Sequence, residues 1–172
     1  MNARTLRITL AAQALLIVWL ALPQAAVAAF TDNGNGTVTD TVTGLMWDRC
    51  SQGQSGAACA TGTASTMTWP AALTAAVTAN TANYKGYNDW RLPNKNELES
   101  LVDIPLVDIL AFTNPAINPT AFPATPEFSD YWSSTTNMPV PTEAWFVYFQ
   151  AGASYGTAKT NSCQVRLVRS GQ

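Results

Sequence analysis

The sequence contains no histidine, and this absence removes several kinds of chemistry at once. Without an imidazole, the chain cannot build a Ser–His or Cys–His nucleophilic pair, and it lacks the usual general base near neutral pH. It also lacks a common nitrogen ligand of protein-bound metals. The sequence therefore favours a binding protein over an enzyme, and we predict no catalytic residues, no cofactor and no metal site.

Basic residues are scarce as well. Nine Lys and Arg stand against 11 Asp and Glu in the whole chain. Removal of residues 1–28 would take away two basic residues and no acidic one, which leaves seven against 11 and a net charge of −4. Proteins that bind nucleic acid need a concentrated basic surface to neutralise phosphates. We therefore expect no nucleic-acid partner.

Only one long apolar run is present, and it lies near the N terminus. Two arginines precede the apolar stretch Leu10 to Leu22, and the small-x-small pattern Ala26-Val27-Ala28 follows it. This order is typical of a secretory signal peptide, and the run is shorter than the ~20 residues of a spanning helix. We predict a signal peptide at 1–28, a single domain at 29–172, no membrane span after cleavage, and a periplasmic, extracellular or cell-surface location. A retained membrane anchor is the alternative.

Cysteine occurs three times, at Cys50, Cys59 and Cys163. An exported protein can keep disulfides, and a bridge across the short polar loop between Cys50 and Cys59 would contribute about 2–3 kcal/mol. We favour that bridge, although pairing of Cys163 with either of the others stays open. Cys163 would otherwise be a buried thiol, or one that is reactive or forms an intermolecular bond.

Strand and turn signals dominate the two ends of the domain. Phe30 to Asp40 predicts a hairpin with Asn-Gly turns, and Leu45 to Trp47 predicts a third strand. A calcium loop at Asp32 to Gly36 is the alternative, but glycines occupy alternate positions there and no closing Glu follows. The C-terminal half predicts three strands and a loop: strands at Tyr131 to Ser134, Ala144 to Phe149 and Gln164 to Arg169, and a loop at Gln150 to Thr160.

Two helices are predicted between these strand regions. The first follows Thr68 and ends near Asn80, and its apolar face comprises Trp69, Leu73, Ala76 and Val77. In the second, Asn94 caps the helix and Glu97 completes a capping box. Its apolar face comprises Leu98, Leu101 and Val102, and it ends before Pro105.

The segment 104–130 holds five of the ten prolines and predicts a long irregular connection, with a helical turn near Val107 to Leu110. We expect Arg91 and Glu97 to pair within the scaffold. We expect four tryptophans, Trp47, Trp90, Trp132 and Trp145, to lie in the core or at its edge. Strands at both ends and two helices between them predict an α+β domain in which the first and last strands pair.

Several motifs, in this order, resemble one known family. They are Phe30-Thr31-Asp32-Asn33-Gly34-Asn35-Gly36-Thr37-Val38-Thr39-Asp40, Thr43-Gly44-Leu45-Met46-Trp47, Asp89-Trp90-Arg91-Leu92-Pro93-Asn94 with Glu97-Leu98, Pro115-Ala116-Ile117-Asn118, Tyr131-Trp132-Ser133-Ser134, Ala144-Trp145-Phe146-Val147 and Val165-Arg166-Leu167-Val168-Arg169. Each is weak alone, but the ordered set over residues 30–170 resembles the C-terminal domain of the Legionella collagen-like adhesin. The run Arg91-Leu92-Pro93 with Glu97 and the last motif also look like the formylglycine-generating (sulfatase-modifying) enzymes.

The resemblance implies a C-type-lectin-like fold, with a twisted antiparallel sheet, two helices and a long irregular loop region. In that family the segment before the last strand presents the binding surface, and the adhesin binds sulfated glycans and forms trimers. This chain has no collagen-like repeats, and its net charge is negative, which disfavours sulfated ligands. Only one cysteine lies near its C terminus, so the catalytic cysteine pair of the sulfatase-modifying enzymes is absent.

We predict the binding surface between the strand at Tyr131 and the last strand, where aromatic, amide and charged side chains mix. The candidate ligand-binding residues are Asn137, Glu143, Tyr148, Gln150, Tyr155, Lys159 and Asn161. The expected function is an exported recognition or adhesion module whose partner is an extracellular glycan or a protein. A self-associating envelope protein and a sulfatase-modifying-type enzyme are the alternatives, and the oligomeric state stays open.

Overall fold

The computed structural model describes residues 29–103 and 115–171, which form two helices and eleven short strands. The predicted α+β class is confirmed. The proposed signal peptide and the helical turn near Val107 to Leu110 lie outside the described residues. In chain order the elements are β1 (Phe30–Asp32), β2 (Thr37–Asp40), β3 (Leu45–Asp48), β4 (Gln54–Ser55), β5 (Thr61–Gly62), β6 (Thr66–Thr68), α1 (Trp69–Thr81), α2 (Lys95–Glu99), β7 (Asp130–Thr136), β8 (Glu143–Tyr148), β9 (Ala153–Ala158), β10 (Ser162–Gln164) and β11 (Val168–Ser170).

One sheet joins the two ends of the domain. Its strand order is β1-β2-β3-β11, all antiparallel, and Val38, Trp47 and Val168 stand opposite one another in register. The predicted hairpin is confirmed, because the Asn33 N–H donates to Thr37 O at 3.0 Å and closes the turn between β1 and β2. The predicted pairing of the first and last strands is wrong, because β11 pairs with β3 while β1 lies at the other edge of the same sheet.

A second sheet has the order β6-β10-β7-β8-β9. Strands β7, β8 and β9 form an antiparallel meander in which Trp132, Phe146 and Tyr155 are aligned in register. The predicted loop at Gln150 to Thr160 is wrong, because β9 lies within it and pairs with β8 over six positions. The small and polar side chains of β9 show little strand preference, so pairing with β8 decides its conformation.

The predicted strand at Gln164 to Arg169 is divided into two. Strand β10 ends at Gln164 in the five-stranded sheet, and β11 begins at Val168 in the four-stranded one, so Val165 to Leu167 crosses between the sheets. All three crossing residues are fully buried. Because the crossing is buried, its two outer residues are apolar and flank the buried Arg166, so its sequence resembles that of a continuous strand.

Helix α1 follows Thr68 as predicted, although the Thr68 side chain makes no capping hydrogen bond. The predicted apolar face is wrong at Val77, which is 63% exposed. The buried face is instead the alanine stripe Ala72, Ala76 and Ala79, at the i, i+4, i+7 spacing that places side chains on one side of a helix. Small side chains allow this helix to lie close to β6 and β7, which it contacts.

Helix α2 has the predicted capping box. The Glu97 N–H donates to Asn94 Oδ1 at 2.9 Å, and the Asn94 N–H donates to Glu97 Oε2 at 2.8 Å. Its apolar residues Leu98 and Leu101 are buried, and the helix ends at Glu99, several residues before the proline that was expected to stop it.

The hydrophobic core lies on both faces of the five-stranded sheet. On one face, Tyr131 and Val147 pack with Leu98 and with Trp47 from the other sheet. On the other face, Trp132 packs against the alanine stripe of α1, together with Trp90. Trp47, Trp90 and Trp132 are thus core residues as predicted, whereas Trp145 is half-buried under Lys95, whose Nζ lies 5.1 Å from its ring centre.

The Cys50–Cys59 disulfide is confirmed, with an S–S distance of 2.07 Å, and Cys163 is a free, buried thiol. Among residues 29–103 and 115–171, no helix has the length and hydrophobicity that a membrane span requires.

Candidate functional site

An open depression of about 470 Å³ lies at one end of the β7-β8-β9 meander. Four of its lining residues are aromatic and one is acidic: Phe128, Phe146, Tyr148, Tyr155 and Asp130, with Ala151 completing the wall. Two of the aromatic side chains face solvent, since Tyr155 is 50% and Phe128 66% exposed. Aromatic walls with a single converging polar group are typical of small-ligand sites, and the volume falls in the usual range.

Strand pairing brings these side chains together. Asp130 stands opposite Tyr148, and two residues further along β8 Phe146 stands opposite Tyr155. Successive side chains on a strand alternate between the two faces, so Phe146 and Tyr148 share a face with Tyr155. Helix α1 covers that face over β6 and β7, whereas α2 packs against β7, β8 and β9 from the opposite side. On the side of the sheet where α1 lies, the surface of β8 and β9 is therefore left uncovered by a helix.

Asp130 lies half-buried in this depression without a cation. Burial raises the pKa of its carboxyl group above the ordinary value. No ion pair or hydrogen bond to this carboxylate is formed within the described parts of the chain. Its charge also acts on the nearby Cys163, where burial first and Asp130 second raise the thiol pKa to about 12. The depression therefore combines aromatic surface with a partly desolvated, unneutralised negative charge.

The structure places two of the seven predicted ligand-binding residues in this depression, Tyr148 and Tyr155. Three further lining residues, Phe128, Asp130 and Phe146, were not predicted. Phe146 could have been found from the alternation with Tyr148 along the predicted strand. Phe128 lies in a proline-rich segment without periodicity, and Asp130 begins β7 one residue before the predicted strand, so strand alternation from Trp132 could have indicated Asp130 but not Phe128.

Four other predicted residues, Asn137, Glu143, Lys159 and Asn161, lie at the opposite end of the meander, roughly 17 Å away along the five residue steps from Tyr148 to Glu143 in β8. Asn137 Nδ2 donates to Glu143 Oε2 at 2.8 Å across the β7–β8 turn. Both side chains lie over Gly156, where a Cβ atom would stand 2.7 Å from each of them. A side chain at position 156 would therefore have to displace the ends of the Asn137 and Glu143 side chains.

Lys159 supports the same turn. Its Nζ donates to Thr136 Oγ1 at 2.9 Å and to Pro141 O at 3.0 Å, and it lies 4.3 Å from the centre of the Trp69 ring. The exposed Asn161 donates from Nδ2 to Thr157 Oγ1 at 2.7 Å. Asn137, Glu143 and Lys159 therefore make hydrogen bonds at the β7–β8 turn, and Asn161 makes one to β9.

Gln150, the seventh predicted residue, is only 1% exposed and lies beneath the surface. Its side-chain Oε1 and Nε2 are buried without a hydrogen-bond partner within the described residues. In this structure Gln150 does not line the depression.

A larger groove of about 720 Å³ lies between α1 and the disulfide-linked hairpin of β4 and β5. Its lining includes Gln52, Gln54 and Tyr84 but is otherwise formed by small side chains, and it contains no charged one. Within the described ranges there is no cluster of three or more acidic or cysteine side chains that could hold a metal ion. Of the two cavities, the aromatic depression offers the more specific set of groups.

Comparison with known proteins adds one finding. The sequence model of the Lcl C-terminal domain family matches residues 36–169, which is most of the chain. The match covers both helices, the five-stranded sheet, the four-stranded sheet except β1 and the last residue of β11, and all six residues of the depression. Among curated proteins, no match was found.

Proposed function

The chain belongs to the Lcl C-terminal domain family, and on that premise we propose that it is an exported recognition module that binds a glycan or protein surface without catalysing a reaction. The observation that carries this proposal is the open aromatic depression, in which two predicted residues, Tyr148 and Tyr155, lie beside Phe128 and Asp130. Exposed aromatic side chains next to an acceptor group suit the apolar faces and hydroxyl groups of sugars as well as peptide side chains.

Two features support export and the absence of chemistry. The Cys50–Cys59 bridge fits an oxidising compartment, in agreement with the leader-like N terminus. The single remaining thiol, Cys163, is buried, and its pKa of about 12 keeps it protonated, so it is a poor nucleophile. The chain has no histidine that could activate it.

A glycan-array screen of the mature domain tests the proposal, with pull-down from extracellular proteins as its second arm. We expect Tyr155→Ala to abolish binding and Met138→Ala to leave it intact. Met138 is a fair control because it is 76% exposed and lies in the β7–β8 turn, away from the depression. Loss of binding in Lys159→Ala but not in Tyr155→Ala would place the site at the turn, and the absence of any ligand would contradict the proposal.

One observation favours self-association as a second candidate function. Strand β9 is an outer strand of the five-stranded sheet, and its sequence Ala153–Ala158 contains neither a charge nor a proline. Strands of this kind at a sheet edge can pair with another copy of the chain. Size-exclusion chromatography with light scattering distinguishes the two functions. A monomer that binds ligand supports recognition. An assembly that the substitution Thr157→Lys disrupts supports self-association.

A further inference from the structure

We propose that the aromatic depression binds a quaternary ammonium group of the choline type. The proposal rests on the recognition function above, because it assigns a ligand class to the same site. The main observation is that an unneutralised carboxylate, Asp130, lines the open depression together with the aromatic residues Phe128, Phe146, Tyr148 and Tyr155. Aromatic faces attract alkylated ammonium ions, and cages of such residues are the usual way in which proteins recognise them.

In the part of the chain that the structure describes, no basic side chain contacts this depression. After residue 28 the sequence has seven basic residues, all within the described ranges. Five of them form ion pairs with carboxylates other than Asp130, and Lys159 and Arg166 donate to hydroxyl and carbonyl groups elsewhere. The pairs are Arg49–Asp32, Lys85–Asp48, Arg91–Glu97, Lys95–Glu99 and Arg169–Asp89, and Lys159 and Arg166 donate to the Thr136 and Ser51 hydroxyls, among others.

The basic side chains that contact aromatic rings also lie away from the depression. Five of these basic residues lie 4.0–5.5 Å from ring centres of the protein. The rings that they cover are those of Tyr84, Trp145, Trp69, Phe122, Tyr131 and Tyr87. None of the four rings of the depression is among them. Within the described residues, the four rings of the depression and the Asp130 carboxylate therefore have no basic side chain of the protein beside them.

Phe128 forms one wall of the depression. Its backbone adopts φ 52°, a left-handed conformation that bulky residues rarely occupy, and its ring is 66% exposed. A conformation of this kind persists only where its surroundings enforce it, and it is found most often at binding sites. On the other side, Phe146 and Tyr155 lie with ring centres 5.9 Å apart and tilted by 40°, so they form an angled wall.

The chemistry favours an alkylated ammonium over a primary amine or a metal ion. A single carboxylate cannot replace the hydration shell of a small, strongly hydrated cation, whereas a trimethylammonium group is held largely by apolar and aromatic contacts. The same group occurs in free choline and in phosphatidylcholine headgroups. The shared feature is a positive charge spread over methyl groups.

Isothermal titration of the mature protein with choline chloride and with 3,3-dimethyl-1-butanol, its neutral isostere, tests the proposal. We expect choline to bind about tenfold more tightly than the isostere, because only choline gains the charge-dependent contacts. Asp130→Asn should remove most of this preference and leave binding of the isostere unchanged, whereas Tyr155→Ala should weaken both. Glu127→Gln is the matched control, because it removes one exposed negative charge from the same segment outside the depression.

Flotation with phosphatidylcholine vesicles distinguishes the source of the group. If the protein floats with the vesicles and Asp130→Asn abolishes this, the ligand is the lipid headgroup. If the protein binds choline in the titration but does not float, the ligand is a soluble molecule. Equal affinity for choline and its isostere, or no binding of either, overturns the proposal. If glycan or protein binding through Tyr155 persists in that case, the recognition function stands and only the ligand class is wrong.

Discussion

Both terminal nitrogens of Arg91 donate to the two carboxylate oxygens of Glu97, each at 2.7 Å. The same carboxylate accepts the backbone N–H of Asn94, so one side chain caps α2 and fixes the guanidinium at once. Arg91 also exchanges two backbone hydrogen bonds with Val168 in β11. The pair thus connects the start of α2 with the strand that ends the domain.

Replacing Glu97 by alanine should lower the free energy of unfolding by about 1–2 kcal/mol, because it removes a helix cap and a bidentate ion pair. Arg91 is 41% exposed, so solvent screening keeps the loss near the lower end. Burial acts to raise the pKa of Glu97, but hydrogen bonds from Arg91 and Asn94 outweigh it, and the pKa is lowered. Urea denaturation at several pH values measures the difference.

A lowered pKa stabilises the fold above the ordinary carboxyl pKa, and this contribution is lost as the pH falls through the folded-state value. The difference between wild type and Glu97→Ala should therefore shrink in acid. Glu127→Ala, at an exposed position on the surface, is expected to change stability little at any pH. A pH-independent difference would show that the ion pair does not stabilise the protein.

Arg166→Lys should cost about 2–4 kcal/mol, because Arg166 is fully buried and makes several directed hydrogen bonds. Its guanidinium donates to Asp48 O at 3.0 Å and to Thr125 Oγ1 at 3.1 Å, and it lies 4.7 Å from the Phe122 ring centre. A lysine ammonium cannot reproduce this planar set. Arg91→Lys, at a half-exposed position, is the control. Equal decreases in melting temperature for both variants would contradict this prediction.

Cys163 should resist alkylation in the native protein and react after unfolding. Burial, and then the charge of Asp130, raise its pKa to about 12, so almost no thiolate is present at pH 8. Timed reaction with a chromogenic thiol reagent, with and without denaturant, provides the measurement. Cys163→Ala should show no reaction in either state, since the other cysteines are bridged. Rapid labelling of the native chain would contradict this expectation.

Asp130→Asn should slightly raise stability near neutral pH, by less than ~1 kcal/mol after allowance for solvent screening. Burial raises the pKa of Asp130, so its stabilising contribution is complete below the ordinary pKa of 3.8 and is lost as the pH rises through the folded-state value. Asparagine does not titrate, so the advantage of the variant should vanish in acid. Melting temperatures of wild type and variant from pH 3 to pH 7 measure this difference in stability. If the variant is still more stable at pH 3, the cause is packing rather than the charge of Asp130.

Local features of the fold were predictable where a short stretch of sequence determines the structure. The Asn33-Gly34 turn, the capping box of Asn94 and Glu97, and the Cys50–Cys59 bridge each involve residues close in sequence, whose chemistry permits few alternatives. The Arg91–Glu97 pair belongs to the same class, since six positions separate its members.

Features that depend on distant partners were not predictable. Val77 lies on the helix at a position that fits an apolar face, but the side of α1 that is buried depends on the sheet beside it. Strand β9 forms because β8 offers a free edge, not because its residues favour strands. Of the residues that line the depression, Tyr148 and Tyr155 were among those that residue type and the family resemblance indicated, and Phe128 and Asp130 were missed.

The sequence by itself determined the α+β class, the family, the absence of histidine chemistry and the capping box of α2, and it favoured the Cys50–Cys59 disulfide, because each depends on composition, order or local geometry. Only the tertiary structure decided that the C-terminal segment divides between two sheets at Val165 to Leu167. It also decided that Phe128, Asp130 and Tyr155 share one open depression. The physical reason is that strand order and helix placement set which side chains meet, and both follow from burial over the whole domain rather than from neighbours in the chain.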